Sequence, residues 1–415
     1  MAAREDSARA SQPEAAASSA EPPTEPEPEP EPEPELEPQP EPGPQASDER
    51  LTSPVELLWD LVFVFAVTQV TTLLALNLSW ALLGRSLLVL ALVWWAWSAF
   101  VWAANAEDAE SPTLRAALLV ALLAIFIVGL TIPEAFGSES LLFALAYAAV
   151  RILHLGLYAD ASRRGHASWE AIAGFAVTVA VGMALLIVGA LVDESLRLAL
   201  WTAAAAIDYA GPAWLTRERL RGLQRVAVAH FSERYGLFVI ICLGESIVEI
   251  GVGANHQQLT AQLVVTVASG VLITVGMWWI YFDRFATVAA ARLRDHEDPV
   301  LVAADGYSYL HLLIVAGIIV FAAGMRVATL GSGAPLGEPA RLALCGGVAL
   351  YLAGHAAFRL RLTGSTSLAE LAAAVVVALL GLLGAGLHAW AAGTAVAAIL
   401  TVLCARETRA LSTRP

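Results

Sequence analysis

Lysine is missing altogether: all 24 basic residues of this 415-residue chain are arginine. With heavy use of alanine, glycine and leucine, that bias points to a GC-rich bacterial genome and carries no mechanistic meaning. Cysteine is scarce, and Cys242, Cys345 and Cys404 stand far apart in apolar runs. Without a CxxC pair or a Cys/His cluster, neither a disulfide framework nor a zinc site is indicated. Such thiols are expected to be packed in the interior. Charge is sparse as well: 15% of residues are charged, 58% are hydrophobic and the mean hydropathy is +0.65. That balance excludes a water-soluble domain of this size. Walker A, HExxH and GxSxG signatures are absent, and glycine-rich Gly331-Ser-Gly-Ala-Pro-Leu-Gly337 reads as a loop without strand–loop–helix context. His296-Glu297-Asp298 reads as a solvated acidic patch and not as a metal site. No cofactor and no metal is expected.

The net charge of −14 is unevenly placed. Residues 1–50 hold 14 of the 38 acids and 3 of the 24 arginines, which leaves the remaining 365 residues at −3. The acidic part is a Glu-Pro repeat from Glu25 to about Pro42. Proline supplies no backbone donor and like charges repel, so residues 1–50 are expected to be a disordered cytoplasmic tail. It lacks the basic and apolar regions of a signal peptide.

What the chain does have is apolar runs of about 20 residues, the length that crosses a bilayer core. They predict an all-α integral membrane protein with about twelve transmembrane helices. The expected spans are 55–76, 80–103, 113–132, 139–160, 168–191, 195–215, 228–252, 260–282, 303–328, 340–360, 366–386 and 388–405. Ser53-Pro54-Val-Glu56 and Ser111-Pro112 supply cap-plus-proline starts for the first and third. Sixteen arginines fall beside one set of span ends, and about four (Arg85, Arg197, Arg326, Arg341) on the other. By the positive-inside rule both termini then face the cytoplasm of a bacterial inner membrane.

Two halves, 51–226 and 227–415, are expected to be parallel six-helix repeats. Leu61-Val-Phe-Val-Phe-Ala-Val-Thr-Gln69 aligns with Leu237-Phe-Val-Ile-Ile-Cys-Leu-Gly-Glu245, and Trp94-Trp95 with Trp278-Trp279. Ala148-Ala-Val-Arg151 likewise matches Ala356-Ala-Phe-Arg359. Parallel repeats commonly place a shared site at the interface between halves.

An ionisable group at the bilayer centre costs about 2.5–3.5 kcal/mol on insertion scales, so each one invites a functional hypothesis. Asp60 lies one turn beyond Glu56, whose capping role accounts for it, and Gln69 is deeper and roughly opposite. Arg234 and Glu245 share a helix but lie roughly 16 Å apart by helical rise. Arg234 therefore needs another partner, and the Asp60 region is a candidate. Gly244 could let a second helix approach Glu245 closely. Tyr147, Arg151, His154 and Tyr158 form one polar stripe, and His355 and Arg359 another. The candidate polar site is therefore Asp60, Gln69, Arg151, His154, Arg234 and Glu245. Secondary candidates are Glu56, Asp208 (before a Gly211-Pro212 break), Glu233, Glu249 (expected near solvent) and Asp283 (at a loop end after an aromatic belt).

Pro54-Val-Glu56-Leu-Leu-Trp-Asp60-Leu-Val-Phe and His230-Phe-Ser-Glu233-Arg234-Tyr-Gly236, continuing to Gly244-Glu245-Ser246, resemble the bacterial low-temperature-requirement A family (LtrA). Trp94-Trp95-Ala-Trp97 and Trp278-Trp279-Ile-Tyr281-Phe282-Asp283 are similar to its pattern too. Leu58-Trp59 stands where the family often has two aromatics. The resemblance spans most of residues 50–405 and implies a link to growth in the cold, but no reaction or substrate. A transporter or channel is the leading expectation, with a proton-titrating carboxylate as coupling group. A structural or sensory membrane protein is the alternative, and an enzyme on lipid or envelope substrates is less favoured. The expected partners are the lipid bilayer and an unidentified small solute or ion. Nucleic acid is not expected, and homo-oligomer formation stays open.

Overall fold

The computed structural model describes residues 52–106, 111–164, 169–211, 227–283 and 285–412. The Glu-Pro tail and the arginine-rich connection 212–226 lie outside the described residues. Among the described residues every regular element is helical, apart from an isolated antiparallel bridge between Pro335 and His388. In chain order the first six helices are α1 (Pro54–Leu76), α2 (Trp80–Ala106), α3 (Pro112–Thr131), α4 (Ser140–Arg163), α5 (Trp169–Ala190) and α6 (Glu194–Ala210). They are followed by α7 (Val228–Ala254), α8 (Ala261–Trp278), the short α9 (Ala286–Arg294), α10 (Pro299–Leu330), α11 (Glu338–Thr363), α12 (Leu368–Leu383) and α13 (Ala389–Ser412).

Ten of these helices are long and apolar enough to cross a membrane. Two of the twelve expected spans correspond to shorter helices, α6 with 17 residues and α12 with 16. α12 falls below the roughly 20 residues that a bilayer core requires, as does the described part of α6. The expected sixth span continued to residue 215, beyond the last described residue of that stretch.

The helix starts follow their local chemistry. Both the Ser53 N–H and hydroxyl donate to Glu56 Oε2 at 2.8 Å, and Pro54 occupies the first turn of α1. The Ser111 hydroxyl accepts from the Leu114 N–H at 3.4 Å and so caps α3. Gly364, with φ of 69°, ends α11 in the left-handed conformation that glycine tolerates.

The surface is apolar where that of a soluble protein is polar. Leu119, Leu123 and Leu130 on α3, and Val375, Leu379 and Leu383 on α12, point outward, while arginines and carboxylates are buried inside. The helix α10 is the central pillar and packs along α11 and α7. Its contact with α11 is made backbone to backbone: a Cβ on Gly317 would lie 2.5 Å from the Tyr351 nitrogen. Gly324 and Gly347 stand equally close to the facing backbone, the small-residue device by which membrane helices approach.

Besides a 3₁₀ turn at Ile132–Glu134 after α3, two π-helical segments were not foreseen. A π-helical turn closes α8 at Trp279–Asp283, and a longer one, Ala304–Leu310, lies inside α10. The second carries the helix through Asp305, so α10 starts at Pro299 and not near residue 303.

Candidate functional site

The first cluster joins α1, α2 and α7. Asp60 and Glu56 project from one face of α1, one turn apart. Arg234 of α7 meets both: Nε and Nη2 donate to Asp60 Oδ2 and Oδ1 at 2.9 and 2.6 Å, and Nη1 to Glu56 Oε1 at 3.0 Å. The indole N–H of Trp97 on α2 donates to Asp60 Oδ1 at 2.8 Å. His230, one turn before Arg234, places Nε2 3.2 Å from Glu56 Oε1. All of these side chains are buried. The planar guanidinium fork engages one carboxylate with two nitrogens and reaches a second with the third, a geometry an ammonium could not match. Glu56 thus does more than cap α1.

A second cluster lies further along the same two helices. Glu245 is buried beside Thr68 of α1 and against Glu249, one turn onward on α7. Its Oε1 accepts from no donor. Glu249, expected near solvent, is only 2% exposed, because Arg326 of α10 donates to its Oε2 at 3.0 Å. Arg326 also reaches the Thr72 hydroxyl at 3.4 Å. Since Asp60 meets Arg234 and Thr68 meets Glu245, α1 and α7 run side by side in the same direction. Polar groups recur along their shared interface from Glu56 to Glu249.

A third cluster ties α4 to α6. Arg151 Nη2 donates to Asp208 Oδ1 at 2.7 Å, with both side chains buried. The Arg151 guanidinium also sits over the Phe175 ring, 5.7 Å from its centroid. His154 is buried one turn on, with its ring packed among Phe100, Tyr158 and Phe175. Asp208 is therefore a partner for Arg151; the Pro212 of the expected helix break lies outside the described residues. The Tyr147 hydroxyl leaves the stripe to donate to the Leu92 carbonyl at 2.9 Å.

Three candidates stay apart from these clusters. Gln69 is half-buried, nine residues beyond Asp60 and about 13 Å away by helical rise. Glu233 is exposed and accepts from the Thr52 hydroxyl at 3.0 Å. Asp283 is exposed at the end of the π turn. Gly244 faces outward, with nothing within 4 Å of where a Cβ would sit, so it does not admit a helix beside Glu245.

Sequence reasoning missed a hydroxyl hub at Ser308, inside the π turn of α10. Its Oγ accepts from the Trp102 indole at 2.8 Å and lies 3.0 Å from Ser98 Oγ and 3.1 Å from the Tyr235 hydroxyl. Its carbonyl accepts from the Trp94 indole at 2.7 Å. The rings of Trp94, Trp97 and Tyr235 pack together, placing the hub beside the Asp60–Arg234 cluster. A serine in an apolar helix gives no sequence signal of this kind. Also missed was the pairing of His355 Nδ1 with Glu370 Oε1 at 2.6 Å, both buried, while Arg359 lies 3.9 Å from Glu407 near a helix end.

Among the described residues no group of three or more His, Cys, Asp or Glu side chains is arranged to hold a metal ion. The buried groups can hold protons, orient a charge or clasp helices.

Comparison with known proteins fixes the family. The family described as Bacterial low temperature requirement A protein (LtrA) matches residues 52–405. An uncharacterized protein of Rhizobium meliloti (strain 1021) is 33% identical over 315 residues, covering 74% of this chain and 77% of the relative. No solved structure matches. The chain belongs to the LtrA family, as the motifs around Asp60 and Arg234 indicated.

Proposed function

We propose that this LtrA-family chain is a transport protein of the bacterial inner membrane, moving an ion or small solute along the polar interface between α1 and α7. The observation that carries this reading is the line of buried ionisable groups from Glu56 and Asp60, through Arg234, to Glu245 and Glu249. Groups of this cost at membrane depth mark substrate and ion pathways more often than packing. Coupling to protons would follow if one carboxylate exchanged its proton while the helices on either side shifted.

In the same reading the two shorter helices complete twelve crossings, with both termini in the cytoplasm. The parallel course of α1 and α7 is what two six-helix halves of the same orientation require, and their interface is where such repeats place a site. The family description also ties the protein to a requirement at low temperature, which we extend to this chain.

A second reading has one observation in its favour. Arg234 is fully engaged by two carboxylates, which suits a static clasp between helices in a structural or sensory protein. Flux of candidate ions and solutes into proteoliposomes separates the two readings. We expect wild type to carry flux that Asp60→Asn and Glu245→Gln reduce by at least tenfold. Equal flux in all three proteins, for every ion and solute tried, would favour the clasp.

A further inference from the structure

We infer that Glu245 and Glu249 form a proton-binding site, holding one proton between their two carboxyls beside Arg326. Charge is the first argument. The groups facing Glu245 are Glu249 and Cys242 from its own helix, Thr68 from α1 and Arg326 from α10. Two carboxylates against one guanidinium leave one negative charge uncompensated at a buried position. An unpaired carboxylate in such a place takes up a proton instead of staying charged.

Geometry is the second argument. Glu245 and Glu249 lie one turn apart on α7, with their carboxyls against each other. Glu245 Oε1 meets no donor, although the residue is only 5% exposed. Two acceptor oxygens facing one another repel unless a proton lies between them, the arrangement of paired acids that ionise one at a time. Arg326 donates to Glu249 Oε2 at 3.0 Å, while no donor reaches Glu245 Oε1, so Glu245 is the member that carries the proton. The Asp60 cluster differs, because both oxygens of Asp60 and both of Glu56 accept from a donor.

The step is simple protonation: the Glu245 carboxylate accepts a proton from the aqueous phase and forms a neutral acid that donates toward Glu249. A proton also needs no shell of ligands, whereas an alkali cation would require several converging oxygens. The inference deepens the transport reading by naming the coupling ion, and it rests on that reading only for the word coupling.

Infrared difference spectroscopy of the full-length protein in lipid vesicles tests it, because the carboxylic-acid C=O stretch reports protonation directly. We expect a band from a buried acid that disappears as pH rises, shifts in heavy water, and is absent in Glu245→Gln. In Glu249→Gln the band should move in frequency and titrate at a changed pH. If Glu245→Gln fails to fold, Thr68→Val serves instead, and removal of the neighbouring hydroxyl should shift the band. The absence of any pH-sensitive acid band, or a band unmoved in all these variants, would overturn the site. Loss of the band on adding sodium at constant pH would overturn it too, in favour of an alkali cation. The spectra need no flux, so a band that behaves as expected in a protein that carries nothing would retain the proton site and sink the transport reading.

Discussion

Arg234 carries a charge that a guanidinium does not give up, and it carries it inside the helix bundle. It is tolerated because Asp60 and Glu56 surround it, held in turn by Trp97 and by the first turn of α1. Removing one partner of a buried pair leaves the other uncompensated, a loss of about 3–5 kcal/mol. Arg234→Leu is therefore expected to destabilise the protein by about that amount, through two stranded carboxylates. Thermal or denaturant unfolding in detergent would measure it, and a loss below about 1 kcal/mol would show the pair to be an ordinary surface-like contact. The need of Arg234 for a partner was legible in the sequence, since a lone arginine deep in an apolar run is too costly to stay alone. The Asp60 motif, with no other role for its acid, supplied the candidate. Arg326 and Glu249 were harder to read. Each lies near a helix end where solvation is the cheaper assumption, and only the docking of α10 on α7 removes the water. His355 and Glu370 sit on different helices with no motif linking them, so their pairing exists only through space.

At the level of elements, α10 does two jobs that its hydropathy does not reveal. Its glycines press against the α11 backbone, and its π turn turns Ser308 toward α2 and α7. Inserting a residue into a helical turn re-aims side chains, which is why such turns recur at functional sites. Ser308 is the meeting point of Trp102, Ser98 and Tyr235, so Ser308→Ala removes the acceptor of the half-buried Trp102 indole and the third member of the hydroxyl cluster, leaving Ser98 and Tyr235 only each other at 2.7 Å. We expect a loss of about 1–3 kcal/mol, the cost of leaving such groups unsatisfied. A matched unfolding series against Ser86→Ala, a buried serine whose hydroxyl has no partner, would check it. Equal effects of the two substitutions would refute the hub. Helix starts at Ser53 and Ser111 were legible because capping is local. The π turns were not.

Across the described residues, leucines and valines face outward around an apolar core that holds a few buried charges, as suits a protein built for lipid and as the low charge content of the sequence indicates. The count of crossings is less direct: among the described residues ten helices are long enough, while α12 and the described part of α6 are shorter. The arginine asymmetry predicts that epitope tags at both termini are protected in right-side-out vesicles and cleaved by protease in inside-out ones. Opposite behaviour of the two tags would require an odd number of crossings. In the proposed transport role, charge persists between α1 and α7 because something moves past it. The direct measurement is proton flux into proteoliposomes under an imposed membrane potential, followed with an entrapped pH dye. We expect flux in the wild type, alone or with a co-transported solute, and its loss in Glu245→Gln of unchanged fold. Wild-type vesicles as tight as protein-free ones under every condition, or Glu245→Gln vesicles that conduct as well as wild type, would contradict it.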